Sequence, residues 1–302
     1  MNKQDLGSKT AKGGFANEKA ICEKLNQYEH DLDAQSWLGE MGYDLQKIIE
    51  VHAEQIPVRL SKKRAKQFGI SEEMFTETQQ FKKADILLTL KVQIYQGFDI
   101  KREYISLKKA KHSSGFNQID KRPVSTYQLF WQFSDHLAQL LRLFTGDLNP
   151  QSYLSHEQFN ALKDSRRLFL GDLTAEDLNS LLVFFKQNKR RIIADLIQGK
   201  GCFKATWFLV TRENKNGSID WVLKDIHTVC DFFAQGPVKL SPRGSLKLGR
   251  ITMQRKGGTP DPTSLQFKIN PLQLFELSPH QTISYIDLFA GIGGFHQALK
   301  AH

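Results

Sequence analysis

One stretch of the sequence, residues 83–118, contains acidic, hydroxyl and basic side chains that could do chemistry together. Asp85 opens an apolar, partly β-branched run that is typical of a core strand. About twenty residues later a second run alternates, which places Ser106 and Lys108 on one face of a second strand. An Asp that holds a divalent cation and a Lys that acts on a water or on a charged phosphate suit metal-assisted phosphodiester hydrolysis. The stretch therefore predicts a hydrolytic centre carried by two strands.

A second Asp-x-Lys pattern lies close by, at Asp99 and Lys101. Gly97 precedes it and signals a turn, whereas residues 104–107 have the apolar character of an inner strand. We favour the later strand for this reason and keep Asp99 and Lys101 as the alternative.

Glu18 is a second candidate acid, on a predicted N-terminal helix. Ile21, Cys22 and Leu25 follow it at helical spacing, so Glu18 shares their apolar face. A carboxylate in that position must be paired, protonated or bound to a metal. The alternatives to a metal ligand are stabilisation by the helix dipole and a pair with a core arginine.

The elements that must position these residues indicate an α/β fold. Further strands are expected at 205–211 and 219–223, joined by an Asn-Gly turn. Before them lies a predicted helical insertion, about residues 124–200. Its amphipathic patterns and caps predict helices over 124–144, 155–163 and 174–197.

A hairpin rich in amide and basic side chains is predicted over about residues 248–271. Arg and Gln can grip guanine and adenine edges in the major groove, and lysines bind phosphate. With Gln118, which opens another amide-rich segment, the candidate DNA-binding residues are Gln118, Arg250, Gln254, Arg255, Lys256, Gln266 and Lys268. The alternative is an exposed cationic hairpin without a specific partner.

The composition is that of a globular protein with a polyanionic partner. The 302 residues are 40% hydrophobic and carry a formal net charge of +10. Three widely spaced cysteines without a C-x-x-C pattern argue against a zinc site or a disulfide framework. The chain shows neither an apolar run of membrane length nor a signal peptide, so we expect a cytoplasmic protein without a membrane partner.

The Asp85 and Lys108 pattern resembles the core of the PD-(D/E)XK nuclease superfamily, to which many type II restriction endonucleases belong. The resemblance implies an α/β fold with a PD-(D/E)XK-like mixed sheet flanked by helices. Ser106 departs from the family pattern, which usually has Glu or Asp at this position. The resemblance implies that Mg²⁺ is held by Asp85, by Glu18 and by the backbone carbonyl of Leu107. It also implies that Lys108 acts on the nucleophile.

The function implied by this resemblance is sequence-specific, Mg²⁺-dependent cleavage of double-stranded DNA. Cutting both strands of a symmetric site needs two active sites, so a homodimer is expected. The restriction-endonuclease-like domain would span residues 1–280.

The string DLFAGIGGF at residues 287–295 resembles the first motif of DNA cytosine-5 methyltransferases, which binds S-adenosylmethionine. No cysteine of the chain follows a proline, so the nucleophile motif of that family is absent and residues 281–302 are interpreted as a truncated segment. A fused or overlapping restriction-modification pair would look like this, with a cognate cytosine-5 methyltransferase as partner. The alternatives are a non-catalytic DNA-binding protein, in which Ser106 marks a dead metal site, and an N-terminal accessory part of a cytosine-5 methyltransferase.

Overall fold

Two five-stranded sheets form the frame of the protein. In the computed structural model the chain is described over residues 3–111, 115–162, 164–242, 244–255 and 263–277. The two sheets face a common apolar core, and helices cover the remaining faces.

The first sheet carries the strands that were predicted to do chemistry. Its strands, in spatial order, are β1 (Ile48–Gln55), β2 (Ile86–Ile94), β3 (Gly97–Lys111), β5 (Trp207–Glu213) and β6 (Ile219–Asp225). The pair β3–β5 is parallel, and the other three pairs are antiparallel. The predicted mixed sheet flanked by helices is confirmed.

Two N-terminal helices, α1 (Lys3–Asn26) and α2 (Leu32–Glu40), cover one face of this sheet. Ile21 and Leu25 of α1 are buried with Leu88 of β2 and Leu107 of β3. Two further helices, α3 (Lys62–Gln67) and α4 (Glu72–Phe81), lie between β1 and β2 in the chain. No helix among the described residues is long and apolar enough to cross a membrane.

Alternation along β5 divides its side chains between two cores. Leu209 packs with the α1 and α2 side, whereas Phe208 and Val210 belong to the larger core on the other face. That larger core contains α10 (Ile226–Ala234) and the apolar face of the second sheet. This larger core contains side chains from both sheets and holds the sheets together.

The second sheet contains the hairpin predicted over residues 248–271. Its strands, in spatial order, are β4 (Asn117–Pro123), β10 (Ser264–Ile269), β9 (Ile251–Arg255), β8 (Leu246–Leu248) and β7 (Val238–Leu240). The strands β9 and β10, which lie within the predicted range, pair antiparallel. Its connecting residues 256–262 lie outside the described residues.

Between β4 and β5, where the helical insertion was predicted, the described residues form helices that are shorter than expected. They are α5 (Val124–Trp131), α6 (Asp135–Thr145), α7 (His156–Asn160), α8 (Ala175–Gln187) and α9 (Lys189–Ile197). The single helix expected over 124–144 is wrong, because Gln132 has a left-handed φ of 55° and Ser134 caps a new helix by accepting the N–H of Leu137. This break buries Phe133 in the core.

The helix expected over 174–197 is also divided. The predicted cap is present, since the Thr174 side chain accepts the N–H of Asp177. The helix ends at Asn188, whose side-chain amide donates to the Phe184 carbonyl at 2.9 Å. The apolar period continues across Asn188, so periodicity alone does not reveal the break.

The break before α6 has a measurable signature. If Ser134 is an N-cap, Ser134→Ala costs about 0.5–2 kcal/mol of unfolding free energy, because a helix N–H loses its acceptor. In a continuous helix the same change would stabilise, since Ala is the better helix former. Ser125→Ala, in the exposed first turn of α5, is the matched control and should stay within about 0.5 kcal/mol of the parent in urea unfolding.

Candidate active site

The candidate catalytic residues lie at the start of β2, where β3 extends beyond the end of its pairing with β2. The β2–β3 ladder starts at Ile86, opposite Ile105, while β3 continues along β5 to Lys111. Asp85, the residue before β2, fills this gap: its Oδ2 accepts the N–H of Leu107 at 2.7 Å. The carboxylate thus replaces the next rung of the ladder and is held at the edge of β3.

Lys108 converges on the same point. Its Nζ donates to the Leu107 carbonyl at 2.8 Å and lies 3.5 Å from Oδ2 of Asp85. The backbone of Leu107 therefore holds Asp85 through its N–H and Lys108 through its carbonyl. The predicted pair of Asp85 and Lys108 is brought together by this one residue.

Glu18 reaches the site from α1, across the end of β1. Its Oε2 accepts a hydrogen bond from Nε2 of Gln55, the last residue of β1, at 3.1 Å. Burial, and after it the negative charge of Asp85, raise the pKa of Glu18 above its ordinary value, with Gln55 and Lys108 opposing. Two carboxylates from distant parts of the sequence are thus close enough for the charge of Asp85 to disfavour ionisation of Glu18.

This oxygen set suits a divalent cation. Mg²⁺ is commonly held by one or two carboxylates together with water and substrate phosphate. Glu18 and Asp85 supply two carboxylates beside the Leu107 carbonyl, and their mutual repulsion is the kind that a cation relieves. Within the described part of the chain, no three His, Cys, Asp or Glu residues form a metal cluster, so the protein alone offers no closed cage.

Ser106 lies inside the sheet, beside Phe208 of β5, and is 2% exposed. A hydroxyl there adds no charge to the site, which leaves Asp85 and Glu18 as its acidic groups. The departure from the PD-(D/E)XK pattern therefore falls on a buried strand position.

Two neighbours of the site were not predicted from the sequence. Lys82 ends α4, and burial lowers the pKa of its ammonium, while the charges of Asp85 and Glu18 act in the opposite direction. Gln55 orients Glu18 through the hydrogen bond described above. The sequence signal for Lys82 was its place three residues before Asp85, whereas an isolated Gln at a strand end gives no signal.

The alternative pair, Asp99 and Lys101, lies elsewhere. The two form an ion pair of 2.5 Å on the exposed part of the β2–β3 hairpin. Asp99 is six residues along β3 from Ile105, or about 20 Å at the usual rise of a strand. The structure does not bring this pair to Glu18 or Asp85.

The candidate DNA-binding side chains divide between two faces of the second sheet. In β10, Leu265 and Phe267 face the core, so Gln266 and Lys268 face outward. Gln254 is paired with Gln266, and Gln118 with Lys268. The four amide and basic side chains lie on one outer face, which we call the outer face of the second sheet: Gln118, Gln254, Gln266 and Lys268. Nε2 of Gln266 donates to Oε1 of Gln118 at 2.5 Å.

The two arginines are engaged by the protein itself. Arg255 faces the core side, where its guanidinium donates to the Leu168 carbonyl at 3.1 Å and lies over the Phe169 ring. Arg250, in the turn before β9, pairs with Glu276 at 2.9 Å. The last candidate, Lys256, lies outside the described residues.

The raised pKa of Glu18 predicts how stability depends on pH in metal-free buffer. The folded state binds this proton more tightly than the unfolded chain, so stability falls as pH rises from 4.5 through the raised pKa. Glu18→Gln removes this penalty, and above that window its melting temperature should exceed that of the parent by about 1–3 °C. Glu23→Gln, on the exposed side of α1, is the control. Equal pH profiles for the parent and Glu18→Gln would contradict the placement of Glu18.

Comparison with known proteins gives a family match and a fold match. The family model of the R.HinP1I restriction endonuclease matches residues 78–275, about two thirds of the chain. The match includes Asp85 and Lys108 and ends before the methyltransferase-like segment 281–302, which lies outside the described residues. A search of curated proteins returned no match.

The fold is similar to that of the restriction endonuclease MspI, solved as a crystal structure with its cognate DNA. The TM-score is 0.52 at 16% identity, over 89% of this chain and 93% of that one. At this identity the likeness concerns the fold alone. The family match covers the strands from β2 to β10, which include those of Asp85 and Lys108, and begins after Glu18 and β1. The chain belongs to the R.HinP1I restriction endonuclease family and is a type II site-specific deoxyribonuclease.

Proposed function

We propose that this enzyme hydrolyses DNA phosphodiesters at the site formed by Glu18, Asp85 and Lys108, with Mg²⁺ as its cofactor and a PD-(D/E)XK type of mechanism. The observation that carries the proposal is the convergence of Asp85 and Lys108 on the two backbone groups of Leu107. Glu18 adds the second carboxylate that the serine at position 106 does not supply.

Each protein group has a defined task in this proposal. Asp85, Glu18 and the Leu107 carbonyl would hold Mg²⁺, which supplies a polarised phosphoryl oxygen and a bound water that ionises readily. Lys108 orients the attacking water and offsets negative charge that grows on the phosphate. Lys82, at the C-terminal end of α4, adds positive charge near the two carboxylates and helps to hold the DNA backbone.

DNA reading is proposed for the outer face of the second sheet. Glutamine amides can make paired hydrogen bonds with adenine, and lysines bind phosphate or guanine. Gln118, Gln254, Gln266 and Lys268 lie side by side on three neighbouring strands, whereas Arg250 and Arg255 hold the scaffold behind them. Sequence would therefore be read by a sheet whose first strand, β4, follows the catalytic strand β3 directly in the chain.

Two partners complete the proposal. A homodimer would supply an active site to each strand of a symmetric sequence. A cognate cytosine-5 methyltransferase would protect the host sequence, and the DLFAGIGGF string at residues 287–295 supports that context.

The first test is digestion of unmethylated plasmid DNA with Mg²⁺ or with EDTA. We expect discrete fragments with Mg²⁺ only, and a loss of about 10²-fold or more in rate for Lys108→Ala, because the growing phosphate charge loses its partner. Lys101→Ala is the matched control, since its lysine belongs to the alternative Asp-x-Lys pair, and should cut at the parental rate. If Lys101→Ala is inactive and Lys108→Ala cuts normally, the active site lies instead at Asp99 and Lys101, on the β2–β3 hairpin.

A second test separates base reading from phosphate binding on the outer face. Gln266→Ala should lose about 1–3 kcal/mol of discrimination between the target sequence and a sequence changed at one base pair, with an unchanged salt dependence of binding. Lys268→Ala should weaken binding to both duplexes and lower the slope of log K against log salt by about 1. Fluorescence anisotropy over a salt series in EDTA measures both quantities. Parental values for both variants would exclude this face from DNA contact.

A further inference from the structure

A buried ion cluster links the segment that carries Asp85 to the first strand of the second sheet. The Nζ of Lys83 lies 2.9 Å from Oδ2 of Asp120 on β4, and Arg122 donates from Nε to Oδ1 of the same carboxylate at 2.9 Å. The Asp120 side chain is 3% exposed, and that of Lys83 is 11% exposed. Burial alone would raise the pKa of Asp120, but the charges of Lys83 and Arg122 lower it. Burial lowers the pKa of the Lys83 ammonium, while the charge of Asp120 acts in the opposite direction. The Asp120 carboxylate therefore lies between two basic side chains inside the protein.

The cluster also holds a β-bulge. In the β4–β10 ladder Asp120 is opposite Phe267, and Gln118 is opposite Lys268, so Ile119 is an extra residue on β4. Lys83 donates its second hydrogen bond to the carbonyl of this extra residue, at 2.8 Å. The ammonium of Lys83 thus holds both the bulge and the carboxylate that follows it.

The bulge decides which face Gln118 occupies. In a regular strand Gln118 and Asp120 would lie on the same face, because side chains alternate with a period of two. The extra residue lets Asp120 point inward to Lys83 while Gln118 points outward to Gln266. Without the bulge, one of the two would be on the wrong side of the sheet.

The other end of the cluster contacts the C-terminal end of α4, which leads to Asp85. The Arg122 guanidinium lies 4.3 Å from the ring centre of Phe81, the last residue of α4. Lys83 is two residues before Asp85, whose carboxylate is held by Leu107. Residues 81–85 are therefore held by β4 on one side and by β3 on the other.

A buried ion cluster of this kind adds little to stability, because desolvation offsets the attraction between the charges. Such a cluster can instead fix one arrangement of the strands. We propose that Lys83, Asp120 and Arg122 are positioning residues that couple base reading by the outer face to the placement of Asp85. When the target sequence engages Gln118, β4 and its bulge hold Lys83, and Lys83 holds residues 81–85 in the cleaving geometry. This inference rests on the proposed function of the outer face.

The test compares cleavage rates at the target sequence and at a sequence changed at one base pair, under single-turnover conditions with Mg²⁺. The target is defined first from the plasmid fragments. Lys83→Met should lower the ratio of the two rates by about tenfold while the dissociation constant for the target in EDTA changes less than about threefold. Lys83→Arg, which keeps the charge, should restore much of the ratio. Lys224→Met, which breaks the Lys224–Glu40 pair between β6 and α2, is the control and should keep the parental ratio.

A purely structural role gives a different result. It would slow cleavage at both sequences by the same factor and leave the ratio unchanged, and this outcome overturns the coupling. Failure of the parent to cut any DNA would instead overturn the proposed function. If Lys83→Met does not fold, hydrogen exchange on the parent decides: amides at 82–86 should be protected by the target duplex in EDTA but not by the changed duplex. Equal protection by both duplexes also overturns the coupling.

Discussion

The hydrogen bond from the Leu107 N–H to the Asp85 carboxylate is the contact on which the proposed active site depends. It forms because β3 is longer than its pairing with β2, so the backbone of Leu107 faces a gap at the start of β2. Asp85 closes the N–H side of that gap, and the Lys108 ammonium binds the carbonyl. A strand that ended at Ile105 would offer neither group, and the two charged side chains would have no common anchor.

The proximity of two carboxylates at the same site is electrostatically unfavourable. Glu18 and Asp85 approach each other in a partly buried position, so ionisation of Glu18 is disfavoured in the folded protein. Lys108 and Lys82 offset part of this repulsion, and a divalent cation would remove more of it. The fold tolerates this cost because large apolar cores on both faces of the first sheet supply its stability. The proposed function requires the Glu18 carboxylate, whereas in the metal-free protein its charge lowers stability.

The second sheet solves a separate geometric problem, which is to present amide and basic side chains outward while its other face joins the core. Strict alternation in β10 achieves this with Leu265, Phe267 and Ile269 inward. In β4, strict alternation would place Gln118 and Asp120 on the same face. A bulge at Ile119 puts them on opposite faces, and Lys83 donates a hydrogen bond to the Ile119 carbonyl. The position of Arg255 follows the same rule, because it faces inward, one residue after the outward Gln254, and binds the Leu168 carbonyl.

Local patterns in the sequence determined much of this protein: the strands around Asp85 and Lys108, the helical insertion, the β9–β10 hairpin and the apolar face that carries Glu18. These features depend on residues close in the chain, whose periodicity and caps can be read directly. The breaks at Gln132 and Asn188 were missed, because the apolar period continues across them. Only the tertiary structure decided that Gln55 orients Glu18, that Lys82 joins the site, and that Lys83 reaches Asp120. Each of these depends on how distant strands are paired and bulged, and one residue of register moves a side chain to the opposite face.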